Sequence, residues 1–88
     1  MSKMTGSQFI SETFKGYGVK HLFVMPYVLN QVMRDSEKLG LRSIMCHSEK
    51  GAAYMADAYA RISRRPSVCM AQSVGAANLA AGLQDAYL

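Results

Sequence analysis

Three short apolar runs constrain this chain more than any other feature: His21-Leu22-Phe23-Val24-Met25, Leu41 to Cys46, and Ser67-Val68-Cys69-Met70-Ala71. Runs of this length, bounded by glycine or proline, read as buried strands. Pro26 cuts off the first and Pro66 marks the turn before the third. Between them the periodicity changes. Leu29, Val32, Met33 and Leu39 trace a helical stripe that runs to Gly40, a good C-terminal cap, and an alanine-rich stretch from Ser48 or Glu49 to about Ile62 has strong helix propensity. Ahead of the first run, Thr5 and Gln8 stand in capping-box spacing, Ile10, Phe14 and Tyr17 share one helical face, and Gly16 and Gly18 form a stop. After the third run, Ala76, Leu79, Ala80, Leu83 and Tyr87 give the apolar face of a last helix. Three strands alternating with four helices predict an α/β fold, a doubly wound parallel sheet built by right-handed crossovers.

The strand runs are continuously apolar, which suits burial on both faces. Three parallel strands nevertheless leave apolar edges uncovered. Residues 1–88 are therefore expected to be the opening part of a larger domain, completed by further chain or by a partner. Half of the residues are hydrophobic and 18% are charged, a globular balance. The net charge of +4 is scattered, and its one cluster, Arg61, Arg64 and Arg65, falls where it would complement a helix dipole, so no nucleic-acid partner is expected. No stretch approaches the ~18 apolar residues of a membrane span, and the opening MSKMTGSQF has no signal-peptide core. Cys46 and Cys69 lie inside strand runs as small hydrophobes, implying no disulfide and a cytoplasmic setting, and with His47 they lack the paired spacing of a metal site.

In open parallel sheets, ligands gather at the carboxyl ends of the strands, where loops and helix N-termini converge. Three loops qualify: Pro26-Tyr27-Val28, His47-Ser48-Glu49 and Gln72-Ser73-Val74-Gly75. Glu49 falls at a strand end and a helix start, facing that crevice. An acidic residue in a first helical turn is ordinarily explained by the helix dipole. Ala71-Gln72-Ser73-Val74-Gly75 resembles a nucleophile elbow, but both histidines lie upstream of Ser73, against the order a hydrolase triad requires, and a helix-capping serine explains it too. Gly16-Tyr17-Gly18 follows a helix and precedes a strand, the wrong way round for cradling a pyrophosphate.

Read together, residues 47–61 (HSEKGAAYMADAYAR), Arg65-Pro66-Ser67-Val68-Cys69 and residues 75–87 (GAANLAAGLQDAY) closely resemble the N-terminal pyrimidine-binding domain of thiamine diphosphate-dependent enzymes of the acetolactate synthase and 2-oxoacid decarboxylase type. The opening helix, Gly18-Val19 before Leu22-Phe23, and Pro26 follow in family order. The resemblance implies that Glu49 hydrogen-bonds the N1′ atom of the coenzyme's aminopyrimidine, so that the ring's exocyclic nitrogen can take a proton from the thiazolium carbon. That task suits a partly dry pocket, where such a hydrogen bond is stronger than in water. It also implies that Pro26, Ser73, Gly75 and Asn78 line the cofactor region.

Departures from the family pattern are specific. Tyr27 stands where a glycine often follows the proline, Ser73-Val74-Gly75 replaces a common Gly-Pro-Gly, and Ser48 separates His47 from Glu49. Nothing matches the Gly-Asp-Gly and downstream asparagine that hold the diphosphate through magnesium. The resemblance therefore implies that Mg2+ and diphosphate belong to a domain absent from these residues, supplied by the remainder of the enzyme or a separate diphosphate-binding subunit, in a homo-oligomer acting on a 2-oxo acid. The alternatives in the residues alone are a non-catalytic association module built on small-residue helices, and a serine hydrolase fragment with Ser73 as nucleophile.

Overall fold

The computed structural model describes residues 3–26 and 29–88. Its elements come in the expected order: α1 Gly6–Gly16, β1 His21–Val24, α2 Asn30–Lys38, β2 Arg42–Met45, α3 Glu49–Ser63, β3 Val68–Met70, α4 Val74–Asn78 and α5 Ala80–Tyr87. The strands form one parallel sheet in the order β2-β1-β3. Leu22 pairs with Ser43 on one side and Val68 on the other, and Val24 with Met45 and Met70. The chain thus leaves the centre toward one edge and crosses back to the other. Connections of one hand that travel in opposite directions place their helices on opposite faces.

The core divides accordingly. Leu22 and Val24 of β1 pack with Val19, Val32, Met33, Leu41 and Met70 on the α1 and α2 side. Phe23, between them in sequence, points to the other face and packs with Cys46, Ala52 and Ala56 beneath α3. Alternation along one central strand therefore feeds both cores. Burial on both faces holds for β1, whereas β2 and β3 are partly open because they are the edges of the sheet.

Local sequence signals explain the helix ends. The Thr5 hydroxyl accepts from Gln8 N at 3.2 Å, and the Gln8 carboxamide accepts from Thr5 N at 2.9 Å, completing the capping box. Both α1 and α2 end with a glycine at positive φ, Gly18 at 84° and Gly40 at 90°. In each case the following amide reaches back five residues, Val19 N to Phe14 O and Leu41 N to Ser36 O, both at 3.0 Å. That is the Schellman arrangement, and it turns the chain sharply into the next strand. Along the α1–α2 seam the buried hydroxyls satisfy one another: Ser36 Oγ donates to Ser11 Oγ at 3.0 Å, and Ser11 Oγ donates to Val32 O at 3.2 Å.

The alanine-rich face of α3 turns out to be packing surface. Ala52, Ala53 and Ala56 are buried, and Gly82 of α5 approaches Ala53 so closely that a Cβ on it would stand 2.9 Å from the Ala53 carbonyl carbon. Arg61 ties the far ends of these helices together, pairing with Asp57 at 3.0 Å and donating to Asp85 O at 3.1 Å.

The single final helix expected over residues 76–87 is two helices that meet at Leu79, which ends α4 and caps α5. Leu79 N bonds to Ala76 O, three residues back, so the regular ladder is interrupted there. Among the described residues, no helix is long and apolar enough to cross a membrane.

Candidate functional site

Because all three strands run the same way, their carboxyl ends converge on one rim. Pro26, exposed, follows β1 there, and the expectation for Tyr27 falls outside the described residues. Beyond β2, Cys46 N donates to Val24 O at 2.8 Å and prolongs the ladder to the turn into α3. Ser48 is extended, with φ −158° and ψ 159°, and its hydroxyl accepts from Gly51 N at 2.9 Å. This N-cap fixes Glu49 as the first residue of α3, half-buried at the rim.

The turn after β3 meets it there. Asn78, the last residue of α4, donates through Nδ2 to Glu49 Oε1 at 3.3 Å. Gly75, buried in the first turn of α4, faces the same carboxylate from the other side. An added Cβ on Gly75 would lie 2.9 Å from Glu49 Oε2, so a glycine is what lets the turn and the carboxyl group come together.

Ser73 is where the turn is tightest, at φ 56° and ψ −136°. With Gly75 N bonded to Gln72 O at 3.1 Å, residues 72–75 form a type II′ turn whose second position favours glycine. Its side chain makes no capping hydrogen bond, which overturns the capping expectation. For the hydrolase alternative, His21 opens β1 at the opposite end of the strand from Ser73, and His47, although in the rim loop, makes no hydrogen bond to Ser73 among the described residues.

The structure therefore brings Glu49, Gly75 and Asn78 into contact, puts Ser73 at the apex of the turn beside them, and leaves Pro26 on the same rim. Sequence reasoning gave no role to Gln72, whose carboxamide accepts from Leu29 N at 2.8 Å. No short-range signal marks such a contact, because the two residues are 43 positions apart.

A carboxylate offers about four acceptor sites, and the Asn78 bond occupies one of them. Glu49 thus retains, in a half-buried setting, an oxygen that can accept from a further N–H donor or, when protonated, donate to an unprotonated nitrogen. The metal-binding side is different: among the described residues, no three His, Cys, Asp or Glu side chains gather closely enough to hold an ion. Burial pushes the thiols of Cys46 and Cys69 up from the ordinary cysteine range, consistent with packing roles. Two hollows lie away from the rim, one between α1 and α2 beside Ser11 and Asp35, the other between α3 and α5 beside Ala53 and Gly82, and Glu49 lines neither.

Residues 4–88 match the family model described as thiamine pyrophosphate enzyme, N-terminal TPP binding domain. The chain belongs to the thiamine pyrophosphate enzymes. An acetolactate synthase of Arthrospira platensis is 32% identical over 94 residues, covering 100% of this chain and 16% of that protein. The probable 2-ketoarginine decarboxylase AruI of Pseudomonas aeruginosa is 34% identical over 86 residues, 96% of this chain and 15% of that protein. The acetolactate synthase isozyme 2 large subunit of Escherichia coli is 36% identical over 89 residues, 97% of this chain and 16% of that protein. The chain thus spans about one sixth of the curated thiamine pyrophosphate enzymes it matches. Toward the ring end of this family's coenzyme, the rim offers the Glu49 carboxyl group, which keeps hydrogen-bonding capacity beyond its Asn78 contact and packs directly against Gly75. The described residues offer no side-chain cluster that fits the coenzyme's metal.

Proposed function

We propose that this chain supplies the coenzyme-activating carboxyl group of a thiamine diphosphate-dependent enzyme of the acetolactate synthase and decarboxylase type, acting on a 2-oxo acid. The observation that carries the reading is the convergence of Asn78 and Gly75 on Glu49 at the strand-end rim. In this reading residues 1–88 form the N-terminal part of a pyrimidine-binding domain. Magnesium and diphosphate are held by another part of the enzyme or by a separate subunit, so the working assembly is an oligomer or complex. A cytoplasmic setting accords with free, packed cysteines.

Bound coenzyme supplies an electron sink for breaking or making a carbon–carbon bond at the 2-oxo carbon. The chain's own residues do the rest. Glu49 would hold the coenzyme's ring through a proton shared between its carboxyl group and the ring atom N1′, and that shared proton would favour proton uptake at the exocyclic nitrogen. Asn78 orients the carboxyl group through Oε1, while Oε2 rests against Gly75. The Ser73 turn and Pro26 border the space the ring would fill, and Ser48 locks the start of α3 so that Glu49 does not swing away.

Glu49→Gln in the natural protein carrying this sequence tests the proposal. With thiamine diphosphate and magnesium present, the variant should slow exchange of the coenzyme's C2 proton by roughly 10² or more, with turnover of pyruvate falling in step. Exchange at the wild-type rate would overturn the assignment.

A further inference from the structure

We propose that Gln72 is a positioning residue for the Glu49 site, acting as a latch between the head of α2 and the turn that presents Gly75 and Asn78. The inference rests on the reading of Glu49 given above. Gln72 lies outside the Glu49 contacts and is exposed, yet its side chain spans from the β3 end of the sheet to the β1 end. Its Oε1 accepts from the backbone N–H of Leu29 at 2.8 Å. Leu29 caps α2 in the left-handed region, at φ 46° and ψ 50°, and has no side-chain cap of its own.

Both ends of this bridge carry backbone that a non-glycine residue adopts only under constraint: Leu29 at φ 46° and, directly after Gln72, Ser73 at φ 56°. Such conformations persist where the surroundings over-determine them. On the turn side one constraint is visible already, since Gly75 is wedged against Glu49 and Gly75 N is bonded to Gln72 O. The Gln72 side chain supplies the other. It pins the first residue of the type II′ turn to α2 while the fourth residue bears on the carboxylate. Release of the latch lets the turn relax, and the relaxation is transmitted three residues on to Gly75 and along α4 to Asn78. A single neutral hydrogen bond thereby sets where the Glu49 carboxyl group stands.

Two substitutions separate the acceptor from the bulk of the side chain. Gln72→Met keeps the length and removes the acceptor, whereas Gln72→Glu keeps the acceptor. In the natural protein carrying this sequence, hydrogen exchange at the Leu29 amide should be roughly three- to tenfold faster in Gln72→Met and near wild type in Gln72→Glu. Thiamine diphosphate affinity, measured by calorimetry with magnesium, should fall at least about threefold in Gln72→Met and recover in Gln72→Glu. Equal Leu29 exchange in wild type and Gln72→Met overturns the latch. Altered exchange with unchanged coenzyme affinity overturns its positioning role while leaving Glu49 in place. A wild-type protein with no affinity for the coenzyme overturns the Glu49 reading, and the Leu29 exchange then decides the latch alone.

Discussion

Gly75 stands against the carboxylate of Glu49 with no room for a side chain between them: a Cβ at position 75 would lie 2.9 Å from Oε2, 3.0 Å from Cγ and 3.1 Å from Cδ. The two residues come from different strand ends, Glu49 after β2 and Gly75 after β3, on either side of β1. Their contact crosses the centre of the rim and makes the site one unit.

Substituting Gly75→Ala should disturb the site more than the fold. The atoms in the way are the far end of a flexible side chain, so Glu49 moves and the backbone does not. Alanine within α4 recovers up to about 1 kcal/mol of helix propensity, which offsets the crowding. The expected result is an unfolding free energy, from urea titration, within about 1 kcal/mol of wild type together with loss of the Asn78–Glu49 hydrogen bond, visible as a shift of the Asn78 side-chain amide resonances. A large loss of stability with those resonances unmoved would mean that Gly75 serves packing alone.

Ser73→Gly should stabilise the protein. The serine is held at φ 56° and ψ −136°, in a region where non-glycine residues carry about 1–3 kcal/mol of strain. Glycine returns about 0.5–1 kcal/mol through the greater freedom of the unfolded chain. The balance favours the variant by about 1 kcal/mol, and Ser73→Val, branched at Cβ, should lose about as much or more. Denaturant titration of the two variants checks both signs, and a less stable Ser73→Gly would show that the hydroxyl contributes more than the strain it brings.

Much of this fold was legible in local sequence. Thr5 with Gln8, Gly18, Gly40 and Ser48 each act within a few residues, and each does in the structure what its type and spacing imply. The rim was legible because parallel strands must end together, and Glu49 because a strand end and a helix start coincide there. What stayed hidden depends on distant partners. The break at Leu79 follows from two separate demands on neighbouring segments: α4 is held to Glu49 through Gly75 and Asn78, while α5 is held to Ala53 through Gly82. No glycine or proline marks that position. Ser73 misled for a related reason: a serine before a helix ordinarily caps it, but the turn required here swings its backbone into a glycine-like conformation and carries the hydroxyl away from the helix amides.

Gly82→Ala should weaken the packing of α5 on α3. Its Cβ would overlap the Ala53 Cβ and stand 2.9 Å from the Ala53 carbonyl carbon and 3.1 Å from its Cα, so here the obstacle is backbone that does not rotate aside. Overpacking of this kind costs about 1–3 kcal/mol, against about 1 kcal/mol returned by replacing a helical glycine. A net loss of about 1–2 kcal/mol follows, accompanied by faster exchange of the α5 amides. Removing the Ala53 methyl relieves the worst overlap but not the backbone contacts, so Ala53→Gly should rescue Gly82→Ala in part. In a double-mutant cycle the pair should then show a favourable coupling of at least about 0.5 kcal/mol. Simple additivity of the two losses would show that the helices do not meet at this point.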